Sequence, residues 1–193
     1  MVNYDDLGVR RIINAAGTYT KYGGSLISAE VIRAMEIASH SFVDIDELLQ
    51  KTGDYIAKCL NVEAALITAG AAAGLTLSTA ACIAGSEQES IRLLPNTEGM
   101  KNEFIIMRCH RNPYDQAMIM AGAKFIEVGN AIETHLWEVE NAIGEETAGI
   151  AFFVQSEMLE ASLSLKEVIK IARDRNIRII VDAAAELPPI ENL

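Results

Sequence analysis

Cysteine is scarce in this sequence: Cys59, Cys82 and Cys109 are the only three in 193 residues. They lie too far apart for a CxxC or Cys/His metal pattern, so no metal site is expected. An odd, sparse count suits a reducing compartment rather than a disulfide scaffold. All three are expected to be buried as small hydrophobes. Bases are also short, 16 against 27 acids, for a net charge of −11. Phosphate backbones are held by clustered Lys and Arg, so a nucleic-acid groove is disfavoured. The acidity is spread along the chain and reads as solubility. The opening MVNYDDLGVRR has no apolar signal core, and the expectation is a cytoplasmic protein with no membrane partner.

Half of the residues are hydrophobic, enough for one core of this size. Residues 64–85, AALITAGAAAGLTLSTAACIAG, form an uncharged run long enough to span a bilayer. Its Ala, Gly, Ser and Thr content and the interruption at Gly70 instead indicate a strand (64–68), a glycine turn and a buried helix. From residue 28 onward, helix and strand signals alternate. Ser28 can cap the helix that follows, where Val31, Ile32, Met35 and Ala38 share a face. Asp44 and Glu47 resemble a capping box before residues 45–60. Strands are expected at 103–108, 124–128, 149–154 and 177–181. Helices are expected after Pro113, after Thr134 with Trp137 packed on the sheet, and after the Ser164–Glu167 capping box, with Asn176 as its stop. Residues 86–102 read as a polar surface excursion. Short connections between alternating elements imply a mostly parallel α/β sheet with helices on both faces. An N-terminal arm (1–27) is expected to precede one domain (28–193).

Five groups of residues could carry chemistry. In TAGAAAGL (68–75), the small residues let the backbone N–H groups of Gly70, Ala71 and Ala72 approach an anion at a positive helix end, with Thr68 adding a hydroxyl. Tight helix–sheet packing would also explain the alanines, and the stretch matches neither common nucleotide loop. Asp182, in VDAAAELPP, ends a hydrophobic strand at the edge where α/β sheets bind ligands. It is suited to a protonated ring nitrogen, or simply to a loop hydrogen bond. His110 and Arg111 follow another strand at that edge. The imidazole could stack on a flat ring or shuttle protons, and the guanidinium could fork onto a carboxylate or phosphate. Gln155 and Ser156 are polar groups on the same rim. The arm NAAGTYTKYGGS (14–25) has the composition of a loop that wraps a site or a neighbouring subunit.

An anion cradle, a ring-stacking candidate and an acid for a ring nitrogen together ask for pyridoxal 5'-phosphate. The stretches INAAGTYTKYGGSLISAEVIRAM, ITAGAAAGLTLSTAACIAG, RCHRNPYDQAMIMAGAKFIEVGN and IIVDAAAELPPIENL resemble the fold-type-I pyridoxal-phosphate enzymes related to selenocysteine synthase. Within these they look most like the D-glucosaminate-6-phosphate ammonia-lyase branch, across essentially the whole chain. The resemblance implies the large domain of that fold, with Gly70, Ala71 and Ala72 around the phosphate, His110 over the ring, Asp182 on its nitrogen, and Ser156 or Gln155 near its hydroxyl. Thr18, Lys21 and Arg111, with Gln155, become candidate substrate contacts. It further implies a homodimer or higher homo-oligomer. The Schiff-base lysine of such enzymes follows the aspartate, whereas Lys166 and Lys170 precede it. The catalytic lysine and the small C-terminal domain are therefore expected beyond Leu193, and this portion alone is expected to be inactive. The activity implied for the parent is a lyase of amino-sugar or hydroxyamino acids, releasing ammonia and a 2-oxo acid. Two alternatives stand beside it: a transferase of the same superfamily (selenium transferase or transaminase), and a non-catalytic α/β fragment that binds a phosphate ligand.

Overall fold

Four parallel strands carry the architecture. In the computed structural model, which describes residues 2–154 and 161–186, β1 (Glu103–Met107), β2 (Lys124–Val128), β3 (Thr147–Phe153) and β4 (Arg178–Asp182) pair in the order β2-β1-β3-β4. The helices are α1 (Ala29–Ala38), α2 (Ile45–Leu60), α3 (Ala71–Ala84), α4 (Gln88–Leu93), α5 (Gln116–Met120), α6 (Leu136–Ala142) and α7 (Leu165–Arg175). The chain divides into two compact units, Met1–Ile67 and Thr68–Leu193.

In the second unit, alternation along each strand sends side chains to two cores. Ile105, Met107, Ile150 and Phe152 meet Val139 of α6 and Val168, Ile171 and Ala172 of α7. Phe104, Ile106, Phe153 and Ile180 meet Leu75 and Ile83 of α3 and Ala117 and Met118 of α5. Both faces are thus covered, which is why central β1 and β3 are apolar almost throughout. Gly149 is required by this packing: a Cβ there would lie 2.9 Å from Phe104 Cε1 and 3.1 Å from the Arg178 carbonyl oxygen. Because the strands run the same way, their carboxyl ends share one edge.

In the first unit, Ser28 accepts from the Val31 N–H at 3.3 Å and Asp44 from the Glu47 N–H at 3.0 Å, so both expected caps form. A side chain at Gly53 of α2 would collide with the Ala65 carbonyl oxygen. That close approach fixes how the 64–67 segment runs past the helix. The apolar face of α1 stays open, with Val31, Ile32 and Met35 each about half exposed.

Several expectations need correction. Residues 64–68 form no strand among the described residues, because an extended segment becomes a strand only when a neighbour completes its ladder. The excursion at 86–102 contains α4. His135, not Thr134, occupies the N-cap of α6, in a reciprocal box with Glu138. Trp137 is 59% exposed and stacks on His135, with ring centroids 6.1 Å apart, instead of packing on the sheet. Of the cysteines, Cys109 is buried, Cys82 is half-buried and Cys59 is exposed on α2. Burial pushes the thiols of both Cys82 and Cys109 up. Among the described residues, no helix is long and apolar enough to cross a membrane; the uncharged run yields only the 14-residue α3.

Candidate functional site

Asp182 at the end of β4, and His110 and Arg111 just beyond β1, lie at the sheet's carboxyl edge. Gly70 is the N-cap of α3 with φ 107° and ψ 172°, a left-handed conformation that glycine adopts without strain. The N-cap, a glycine, has no side chain to cap this helix, and a Cβ on Gly70 would meet nothing within 4 Å. The first intrahelical bond runs from the Gly74 N–H to the Gly70 carbonyl at 3.1 Å. The amides of Ala71 and Ala72 therefore face outward with the positive end of a four-turn helix behind them. Thr68 is used inside the turn: its hydroxyl donates to the Gly70 carbonyl at 2.9 Å, which shapes the cradle. Thr76, one turn further along, donates to the Ala117 carbonyl at 2.9 Å and ties α3 to α5.

Asp182 closes β4. Residues two apart on a strand share a face, so it lies on the side of Ile180, the face that α3 covers. Its Oδ1 accepts from the Ala184 N–H at 3.0 Å, an Asx turn that orients the carboxylate. Among the described residues, Oδ2 accepts no hydrogen bond.

His110 ends a 3-10 turn, Arg108–His110, just beyond β1. It is 2% exposed. Its Nδ1 accepts from the Phe153 N–H at 3.3 Å, and its ring meets Phe152 edge-on with centroids 4.6 Å apart. Burial pulls the imidazole down to about 4. Asn112 Nδ2 holds the His110 carbonyl at 3.1 Å while Oδ1 of the same side chain accepts from the Tyr114 N–H.

Arg111 is already engaged. Its Nε donates to Asp115 at 2.5 Å, Nη1 pairs with Glu127, and the guanidinium lies 5.0 Å over the Phe125 ring. The two carboxylates hold its protonated form still more firmly than usual. Arg108 reaches the same Glu127 at 3.3 Å. Asp115, four residues on from Arg111, was open to a sequence reading as an i,i+4 pair. Glu127 was not, because only the parallel register Ile106↔Glu127 brings it alongside. Thr18 and Lys21 belong to the first unit, on an exposed bend and a single 3-10 turn. Gln155 and Ser156 lie outside the described residues.

Two surface cavities of about 510 and 560 Å³ open at the opposite, amino edge of the sheet, the first beside Lys101, Thr147 and Arg178, the second beside Glu103 and Lys124. Neither is lined by the candidate residues. Among the described residues, no three His, Cys, Asp or Glu side chains are grouped to hold a metal.

No protein-family model matches the chain. Over 188 residues it is 33% identical to D-glucosaminate-6-phosphate ammonia lyase of Salmonella typhimurium, an alignment covering 95% of this chain and 51% of that protein. It is 31% identical to a 5'-C-glycyluridine monooxygenase-decarboxylase of a Streptomyces species, over 96% of this chain and 48% of that protein. It is 28% identical to L-seryl-tRNA(Sec) selenium transferase of Clostridium perfringens, over 90% and 39%. Among solved structures, it superposes on D-glucosaminate-6-phosphate ammonia-lyase with a TM-score of 0.90 at 33% identity, covering 94% of this chain and 51% of that one. An aspartate aminotransferase from Thermotoga maritima gives 0.52 at 16% identity, over 93% and 48%, a likeness of fold alone. The fold and the branch resemblance read from the sequence are thereby borne out. The chain spans about half the length of the curated relatives it matches.

Proposed function

We propose that this chain forms the coenzyme-holding part of a pyridoxal-phosphate-dependent lyase that acts on an amino-sugar acid or hydroxyamino acid. One observation carries the reading. The helix that Gly70 opens packs against the sheet face on whose side Asp182 lies, which supports an anion site and a ring-nitrogen partner in one coenzyme. The relatives named above support it, the ammonia-lyase most directly.

The residues fit such a coenzyme. Gly70 leaves open space where a side chain would block an anion, and Ala71 and Ala72 offer amides and small side chains to the phosphate. Asp182, oriented by its Asx turn, keeps one oxygen for a ring N–H. When bound, the coenzyme supplies an electron sink whose power depends on a protonated ring nitrogen. Asp182 holds that proton in place. Thr68 contributes by shaping the turn. His110 is too buried to present a ring face, so its part is mechanical and concerns the strand tip. Arg111, saturated by two carboxylates, stays with the scaffold. Lys166 and Lys170 stand exposed on α7, and the reading assigns covalent attachment and turnover to the intact protein.

The test is a titration of the intact protein with pyridoxal phosphate and with pyridoxal, followed by coenzyme absorbance. The phosphate ester binds at least tenfold tighter, roughly what charge–dipole and amide contacts at a helix N-terminus provide, and Ala72→Glu removes the preference. Equal affinity for the two compounds refutes the reading. Ammonia release without an amino-group acceptor separates a lyase from a transferase.

A further inference from the structure

We infer that His110 is a positioning residue: its unprotonated Nδ1 locks the tip of β3, and that tip sets the place of Asp182. This goes beyond the coenzyme reading, and only its consequence for a ligand rests on that reading.

The pairing of β1 with β3 ends at Ile106↔Ala151. Beyond it, the next amide of β3 that points toward β1, that of Phe153, has no strand to meet. His110, carried past the end of β1 by the 3-10 turn, takes that N–H on Nδ1 at 3.3 Å. The following amide, Val154, points the other way and donates to the Asp182 carbonyl at 2.9 Å, while Phe153 is in register with Asp182. Phe153, the last residue of β3, and Val154, just past it, thus join His110 on one side to Asp182 on the other.

An imidazole nitrogen that accepts from an amide carries no proton, so the ring's hydrogen sits on Nε2. An imidazolium would set two donors head to head and break the lock. Burial and the edge-on Phe152 contact disfavour that cation further, in line with the lowered pKa. His110 therefore neither shuttles protons nor stacks as a charged plate; it replaces the missing rung of the ladder.

The test uses the intact, ¹⁵N-labelled protein without coenzyme. At pH 7, ¹⁵N NMR of His110 is expected to show a bare Nδ1 and a protonated Nε2. In H110F, which keeps a ring but loses the acceptor, the Phe153 amide is expected to exchange about tenfold faster, the protection of one buried hydrogen bond, and the Ala184 amide resonance is expected to shift as Asp182 moves. H110N, whose Oδ1 falls near the Nδ1 position, is expected to restore both. A proton on Nδ1 in the wild type, or unchanged Phe153 and Ala184 amides in folded H110F, overturns the inference. If H110F does not fold, the wild-type tautomer together with the H110N amides decides it. Coenzyme binding enters none of these readouts, so an intact lock in a protein that ignores pyridoxal phosphate refutes only the proposed function.

Discussion

Acidifying the protein from pH 7 to pH 4 costs it stability through one buried imidazole. His110 holds its proton only near pH 4 when folded, against an ordinary value of 6.5. The folded state therefore binds fewer protons than the unfolded chain between those values, and stability rises with pH across that window. The contribution is fully present above pH 6.5 and is lost as pH falls toward 4. Each pH unit between the two values is worth about 1.4 kcal/mol, which sets the total near 3 kcal/mol. Its cause is the cost of placing a charge in a 2%-exposed site beside Phe152. Two measurements check it: the NMR titration of the His110 ring, and urea unfolding of wild type and H110N at pH 7, 5.5 and 4. The wild type is expected to lose about 3 kcal/mol more than H110N over that range. A ring that titrates near 6.5, or parallel pH profiles for the two proteins, refutes the reasoning.

Other substitutions separate local from packed contributions. Ser164→Ala removes the cap that accepts from the Glu167 N–H at 3.3 Å and is expected to cost about 1 kcal/mol in chemical denaturation, with little change in the sheet. Gly149→Ala presses a methyl against Phe104 and the Arg178 carbonyl; a loss of about 1–3 kcal/mol is expected, and a neutral result would mean that β1 and β3 can slide. Arg111→Ala leaves the buried Asp115 carboxylate without its partner. It is expected to lower thermal stability by about 2 kcal/mol, whereas Arg108→Ala, at an exposed pair, changes it by less than about 1 kcal/mol.

Features made within a few residues are legible in the sequence. The caps at Ser28, Asp44 and Ser164, the left-handed stop at Asn176, and the glycine that opens α3 all formed where local chemistry asked for them. Alternating apolar segments placed the four strands of the sheet, since a buried parallel strand advertises itself by composition. That His110 and Asp182 share an edge followed from strand direction alone.

Other features depend on partners distant in the chain, and there the same residues misled. Residues 64–68 have strand composition but no neighbour to ladder with. Trp137 found a stacking histidine instead of the sheet. Arg111, a plausible ligand group on its own, is neutralised by a carboxylate that reaches it only through the register of β2 on β1. His110 changed most. As a residue type it suggested ring chemistry, yet its role is set by where β1 stops and β3 continues, leaving one amide to be answered. The sequence by itself determined helix caps and stops and the four apolar strands of the sheet, because those preferences act within a single turn or strand. Which polar group meets which was decided by the tertiary structure, because buried donors must be paired by whatever the fold brings within reach.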